Sequence, residues 1–445
     1  MYKKNYLNFL LALIPLSFIA GNLIININVL LIILFSIILY KSNVFKLEYF
    51  FLDKIIFIFF FFILFTGFYN DYYIYVNQND YSVWSGYIHT IKKSIFFSRF
   101  LLFYIILRFL IEKDKINLYL FFASCSFASL FVCFDIFYQF INGKDLFGFG
   151  IIENTRKLSG PFGDELIAGG FIQRFSLFTF FFLPLFHSSV FKKNFKYLVL
   201  LMFVIFLSGI VLSGNRMPLL IFIFSIFLLI IFTDQIRKYF LQFMLVFALI
   251  FSLFFYFNSN FKSNVQNFSK QLSTMTGLIL EKNFNINNSL NKFEGHDSYI
   301  NDFSTFYETW KLNRLIGGGI KNYRYYCHLR SNKKLIYVNK KMVCNMHPHN
   351  YYLEILTDTG LLGLIIVSSI FIIILYITLI KKYFTISSLA NNHIITPFIF
   401  LFLSEIFPIK STGSFFTTSN ATYIFLIMSI LIALARKENF IEKKG

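Results

Sequence analysis

The 445-residue sequence predicts an all-α fold, a polytopic transmembrane bundle of about 12 helices with one large, mainly helical loop on the outer face. Three observations predict it. Hydrophobic residues make up 57% of the chain and charged residues 14%, against roughly 45–50% and about 25% in an ordinary soluble domain, which excludes a water-soluble fold. Apolar runs of about 20 residues recur, the length that crosses a hydrocarbon core of roughly 30 Å at about 1.5 Å per residue. Lys+Arg 41 against Asp+Glu 22 gives +19, yet the basic residues form short clusters between apolar runs. That pattern argues against a nucleic-acid binder and for membrane loops sorted by charge. The excess of Phe and Tyr accompanies abundant Ile, Asn and Lys, a compositional bias to which no function attaches.

In lipid each apolar run can satisfy its backbone only as a helix. The expected spans are approximately Leu7–Ala20, Leu23–Tyr40, Ile55–Tyr69, Ile95–Ile111, Asn117–Phe140, Leu166–Phe186, Tyr197–Leu212, Pro218–Thr233, Phe240–Phe257, Gly360–Ile380, Ile394–Pro408 and Ala421–Ala435. The first reads as a membrane anchor, because a second span follows at once with no convincing small-x-small cleavage site. With the N-terminus in the cytoplasm, 18 basic residues fall on the inner side and seven in the short outer loops, the asymmetry expected of the positive-inside rule. Residues 1–257 then carry spans one to nine, 258–350 an outer loop domain, and 351–445 spans ten to twelve with a cytoplasmic C-terminus. The loop holds 13 Lys/Arg and five Asp/Glu. Long loops translocate regardless of charge, so plain solubility and an anionic ligand on that face both account for the excess.

Cys125 and Cys133 lie inside one apolar span and read as small buried hydrophobes. Cys327 and Cys344 lie in the outer loop, where an oxidising compartment favours a Cys327–Cys344 disulfide. A zinc site with His328, His347 or His349 is the rival, without a C-x-x-C or H-x-x-x-H spacing to support it.

The most specific segment is Cys344-Asn-Met-His-Pro-His-Asn-Tyr-Tyr-Leu-Glu-Ile-Leu-Thr-Asp-Thr-Gly-Leu-Leu-Gly363. Pro348 suits a helix's first turn, which would put His349, Tyr352, Leu353 and Leu356 on one face. The positive end of the helix would disfavour the imidazolium and keep a neutral His349 available as a base. Asn350 lies one turn from Glu354, so a side-chain pair between them would fix the helix start.

Ser213-Gly-Asn-Arg-Met-Pro218 reads as a tight outer turn that sets Arg216 beside the free N–H groups of a helix start, an anion site. A snorkelling Arg216 at the interface is the alternative. Arg156 and Lys157 lie on the same side, and Arg174 follows inside the sixth span. At that depth Arg174 needs a partner or a polar cavity, with Asp135, Gln139 and Glu405 as candidates; a purely structural pair is the alternative.

His296 opens a further polar stretch, and Thr309 to Arg324 reads as a helix ending in three glycines. No strand–turn–helix context surrounds them, which excludes a Rossmann or P-loop reading. A backbone nest beside Lys321 and Arg324, or simple chain reversal, remains. No Asp-x-Asp occurs to hold a metal on a diphosphate leaving group. Fixed Arg and Lys charge would have to replace it, with His349 as general base for an acceptor hydroxyl.

The long loop before the last spans, the His-x-His-Asn-x-Tyr-Leu-Glu pattern with its Gly-x-x-Gly, the Ser-Gly-x-Arg turn and the Gly-rich turn ending in Arg324 together resemble polytopic inner-membrane proteins of the O-antigen ligase and O-antigen polymerase type. Glu405 to Phe416 is similar to the closing segment of one branch of that family. The resemblance implies a GT-C-like, metal-independent, inverting transferase without a cofactor, in the bacterial inner membrane, with both termini cytoplasmic and the active site periplasmic. It implies a glycan on undecaprenyl diphosphate as donor and a lipid A-core sugar hydroxyl, or another glycan, as acceptor. His349 resembles the catalytic base and Arg216 a diphosphate-binding arginine. Two departures stand out: His296 where many members have an early loop arginine, and Asp164-Glu165 where others carry Asp-Pro-Asn. Arg156, Arg174 and Arg324 are therefore the candidates for the second diphosphate-binding residue, with His347 and His296 as further glycan or diphosphate contacts. A polymerase and a protein O-oligosaccharyltransferase share this chemistry. A flippase or permease belongs to another class, for which related halves and mid-bilayer interruptions are expected.

Overall fold

The structure, a computed structural model, describes residues 2–77, 90–151, 157–182, 189–233, 237, 240–257, 262–263, 265–266, 305–323, 327, 348–385, 394–408, 410 and 413–438. These residues are almost wholly helical, with no strand among them beyond one isolated bridge, Lys144 to Gly150. Among the described residues six helical stretches are long and apolar enough to cross a membrane: Asn22–Phe45, Phe51–Tyr72, Thr90–Glu112, Tyr119–Asn142, Tyr351–Phe384 and Thr418–Lys437. Shorter apolar helices cover Asn5–Ala20, Tyr197–Leu212, Arg216–Phe232, Leu241–Phe257 and Thr396–Glu405. Two expected spans depart from an unbroken helix among the described residues: Ile95–Ile111 is divided by a turn at Ser98 between helices Thr90–Phe97 and Arg99–Glu112, and Leu166–Phe186 is divided as well. Residues Leu166–Phe186 give α7 (Ala168–Phe175) and α8 (Leu177–Phe182) on either side of a turn at Ser176.

The chain forms two compact units, the first comprising Met1–Ile14, Gly21–Asn117 and Ser298–Gly445, the second Pro15–Ala20 and Leu118–Asp297. In the first unit, α14 (Thr418–Lys437) is apolar all round and buried along most of its length, as a helix enclosed by neighbours must be. It packs on α2 (Asn22–Tyr40), α5 (Arg99–Glu112) and α13 (Thr396–Glu405). Next to this core α3 (Phe51–Asn77) packs on α4 (Thr90–Phe97) and on α12 (Tyr351–Leu375). The side of Gly67 lets α3 and α4 approach, since a Cβ there would lie 2.5 Å from Ser94 Oγ.

One end of this unit is tied by charge. Arg108, fully buried on α5, is ion-paired with Asp53 of α3 and bonds Glu112 at 2.8 Å, while Tyr104 donates to Asp53 at 2.6 Å. Asp53 also accepts the Phe50 N–H at 2.9 Å, which closes the start of α3. A charge buried among apolar helices is tolerated when it is paired and hydrogen-bonded in this way.

In the second unit, α6 (Tyr119–Asn142) packs on α7, α8 and α9 (Ser189–Leu212), and α9 packs on α10 (Arg216–Phe232) and α11 (Phe240–Phe257). Gly209 allows the close approach of α9 to α6: a Cβ there would sit 2.7 Å from Cys133 Sγ. Cys125 and Cys133 are free and fully buried. Gly143 ends α6 in the left-handed conformation, its N–H returning to Gln139 O at 2.9 Å.

Candidate functional site

His349 and Asn350 stand at the start of α12. The helix begins at Tyr351, with Asn350 as its N-cap, so Pro348 and His349 precede it and His349 does not share a helical face with Tyr352 and Leu353. Asn350 is extended (φ −145°), and its Oδ1 accepts the N–H groups of Tyr352 at 3.0 Å and Leu353 at 3.1 Å. Its Nδ2 donates to Pro408 O at 2.8 Å. Two donors that a helix start leaves unpaired are thus satisfied by one side chain, which also ties the helix to the segment after α13. His349 is held at φ 54°, a left-handed conformation uncommon outside glycine, and its side chain is half-buried.

Glu354 does not pair with Asn350. Its carboxylate accepts the Ser414 hydroxyl and the Phe415 N–H, the latter at 2.5 Å, and is almost fully buried. One residue after the cap, Tyr351 donates its hydroxyl to Glu405 Oε1 at 2.6 Å, and Glu405 Oε2 is ion-paired with Lys410 at 2.5 Å. Lys410 also lies 5.4 Å from the Tyr351 ring centre. Glu405 and Lys410 are buried, so this pair is a low-dielectric clamp on the residue two places after His349. The sequence reading offered Glu405 as a partner for Arg174; Lys410 and Tyr351 engage it within its own unit.

Further along, α12 is broken at Gly360 (φ 67°, ψ −170°). The Gly-rich turn fills the break. Gly318 and Gly319 donate to Thr357 O at 3.0 Å and Asp358 O at 2.8 Å, and the Leu361 and Leu362 N–H groups turn to Arg314 O at 2.8 Å and Leu315 O at 3.2 Å. Four bonds to the turn replace the two helical bonds lost there, so no backbone group is stranded. Asp358 Oδ2 accepts the Lys321 N–H at 2.8 Å, and the Lys93 ammonium donates to Lys321 O at 2.8 Å. Loss of water lowers the Lys321 ammonium below the usual lysine range; Glu354 and Asp358 oppose this and the Arg99 cation adds to it.

The second unit carries the Ser-Gly-Asn-Arg turn. Gly214 takes φ 68°, Ser213 donates to Ile210 O at 2.7 Å, and Asn215 stands at the N-cap position of α10 without a side-chain bond to the helix, so Arg216 is the first helical residue. Asn215 also reaches back across the chain, accepting Gly169 N–H at 3.1 Å and donating to Leu166 O at 3.0 Å. This locks the start of α10 to the start of α7. A Cβ on Gly169 would meet Ser213 Oγ at 2.4 Å. The Lys157 ammonium is lowered by loss of water and, to a smaller extent, by the Arg216 cation. Arg174 is half-buried in the last turn of α7. Two of the partners read for it are engaged locally: Asp135 accepts Leu146 N–H at 2.8 Å, and Gln139 accepts Gly160 N–H at 2.9 Å.

His349, Asn350 and Glu354 thus belong to the first unit, and Arg174 and Arg216 to the second. Arg156, His296, Arg324, Cys344 and His347 lie outside the described residues. Cys327 is buried and disulfide-bonded, stacked in a small cluster with Phe306 and Tyr323. Among the described residues no three His, Cys, Asp or Glu side chains gather as metal ligands. Sequence reasoning missed the Tyr351–Glu405–Lys410 clamp and the pairing of the Gly-rich turn with Gly360, because both join residues distant in the chain.

No curated protein matches the chain. The family model described as O-antigen ligase matches residues 201–368, a segment holding Arg216 with its turn, the Gly-rich turn, His349, the Asn350 cap and Gly360. Over residues 201–368 the chain is thus similar to the O-antigen ligase family.

Proposed function

We propose that the protein is an O-antigen ligase-like glycosyltransferase of the bacterial inner membrane, moving a glycan from undecaprenyl diphosphate to a lipid A-core sugar hydroxyl on the periplasmic face. The observation that carries the reading is His349, held in a left-handed conformation directly before an Asn350-capped helix within the matched segment. In this reading His349 takes the proton from the acceptor hydroxyl as that oxygen attacks the anomeric carbon. The new glycosidic bond forms on the face opposite the bond to the diphosphate oxygen, which breaks, and the anomeric centre inverts. Arg216 and Lys157 receive the charge of the departing diphosphate, a role that fixed cations fill without a metal. Arg156, Arg174, Arg324, His296 and His347 are the further candidate contacts to diphosphate and glycan, and Cys327–Cys344 is the proposed disulfide. Both termini are cytoplasmic, with about 12 spans and the 258–350 loop outside.

The same chemistry serves a polymerase adding one lipid-linked repeat to another. Deleting the gene in its own organism and weighing the lipid A-linked and carrier-linked glycans separates them. Long polymer stranded on the carrier with bare lipid A core supports the ligase. A single repeat on lipid A means a polymerase, and unchanged pools remove both.

A further inference from the structure

We propose that Lys321, Lys93 and Arg99 form a second anion site, one that takes a phosphate group in the first unit. The site is built by the break in α12. To seat its N–H groups in that break, the Gly-rich turn must reverse at once, and the residue at the reversal is Lys321 with φ 53°. A left-handed lysine is a position where glycine would sit without strain. It is held by two long-range bonds, from its N–H to Asp358 and to its carbonyl from Lys93. Strain sustained by specific bonds points to a side chain that is needed where it stands.

Lys321 is exposed as a residue while its ammonium end is partly withdrawn from water, and among the described residues that ammonium has no hydrogen bond or ion pair. No carboxylate among the described residues is ion-paired with it: Glu354 accepts from Ser414 and Phe415, and Asp358 meets Lys321 only through the backbone N–H on Oδ2, its Oδ1 being buried without a hydrogen bond among the described residues. Lys93 is carried by α4, whose first N–H groups are capped by Asp71 of α3 at 2.8 and 3.1 Å. Arg99 opens α5 with its guanidinium 4.4 Å from the Phe100 ring centre, one amino group on Phe96 O at 2.5 Å and the other on Thr418 Oγ1 at 3.3 Å. Its Nε is buried with no partner. Lys321 and Arg99 lie close enough for the cation on one to disfavour the ammonium on the other. Like charges gathered at one place, with no carboxylate ion-paired to the Lys321 ammonium among the described residues, are stabilised by a bound anion.

The phosphate can come from two sources, a lipid-linked diphosphate or a phosphorylated sugar, and this choice rests on the transferase reading; the binding itself does not. Full-length protein in detergent micelles is titrated calorimetrically with farnesyl diphosphate and, separately, with glucose 1-phosphate. Lys321→Gln is expected to weaken at least one of them by about tenfold, with Lys321→Arg close to the parent and added salt weakening the parent more than the variant. Lys93→Gln, which leaves the Gly-rich turn's own bonds to α12 in place, repeats the loss. A loss confined to farnesyl diphosphate assigns the site to the donor, and one confined to glucose 1-phosphate assigns it to the acceptor. Affinities unchanged in both lysine variants, or no binding of either probe by the parent, overturn the proposal. No transfer is measured, so failure of the glycosyltransferase reading would show elsewhere, as transfer that survives His349→Ala.

Discussion

Gly317 and Gly360 meet backbone to backbone: a Cβ on Gly317 would lie 2.5 Å from Gly360 N, and one on Gly360 2.2 Å from Leu315 O. Both residues are left-handed, at φ 78° and 67°. Each substitution, Gly317→Ala or Gly360→Ala, therefore adds backbone strain to a steric clash, and about 2–4 kcal/mol of stability should be lost. Thermal unfolding in detergent checks this. Unfolding midpoints within a degree of the parent would mean that the turn does not fill the break in α12.

The Glu405–Lys410 pair carries a different signature. Removing one charge by Glu405→Gln or Lys410→Met leaves the other buried and unpaired, at a cost of about 3–5 kcal/mol. The double variant removes both charges and should regain much of that loss. A double-mutant cycle on unfolding free energies reads the coupling, and strictly additive losses would show that the two side chains do not act as a pair.

Asn350 performs two tasks that substitution can split. Asn350→Asp keeps the oxygen that accepts from Tyr352 and Leu353 but loses the donor to Pro408. Asn350→Ala loses both and about 1 kcal/mol of capping. Transfer is expected to fall in both, with melting temperature lowered mainly in Asn350→Ala. Equal melting temperatures for the two would argue against the cap.

The helices were legible because about 20 apolar residues in lipid have one way to satisfy their backbone. The Arg216 turn was legible too, since Gly214, Asn215 and Pro218 are local signals of a turn and a helix start. What the sequence hid is long-range. The glycines of 317–319 look like any chain reversal until Gly360 stands opposite them, and the Gly-x-x-Gly after Asp358 reads as an entry into the bilayer, not as a gap that another segment fills. Asn350 and Glu354 are one turn apart and invite pairing, yet the better partners, Pro408 and Ser414, come from segments 58 and 60 residues away. The expected third span begins at Ile55, whereas α3 starts four residues earlier, at Phe51, with Asp53 in its first turn paired to Arg108. The break of the sixth span at Ser176 has no glycine or proline to announce it.

Arg216 is the first residue of α10, so the diphosphate reading makes its charge count. Arg216→Ala should weaken use of the lipid-linked donor by about tenfold or more, and Arg216→Lys should retain part of it. Steady-state transfer at varied donor concentration separates the two variants. Equal activity in both would instead mark Arg216 as an interface anchor.

His349 is the proposed base, and its removal separates catalysis from binding. In bilayer nanodiscs supplied with an undecaprenyl diphosphate-linked glycan and a lipid A-core acceptor, His349→Ala should lower transfer by about 10²- to 10⁴-fold, while the folded protein still binds the donor. Transfer at the parent rate by folded His349→Ala protein would contradict the account.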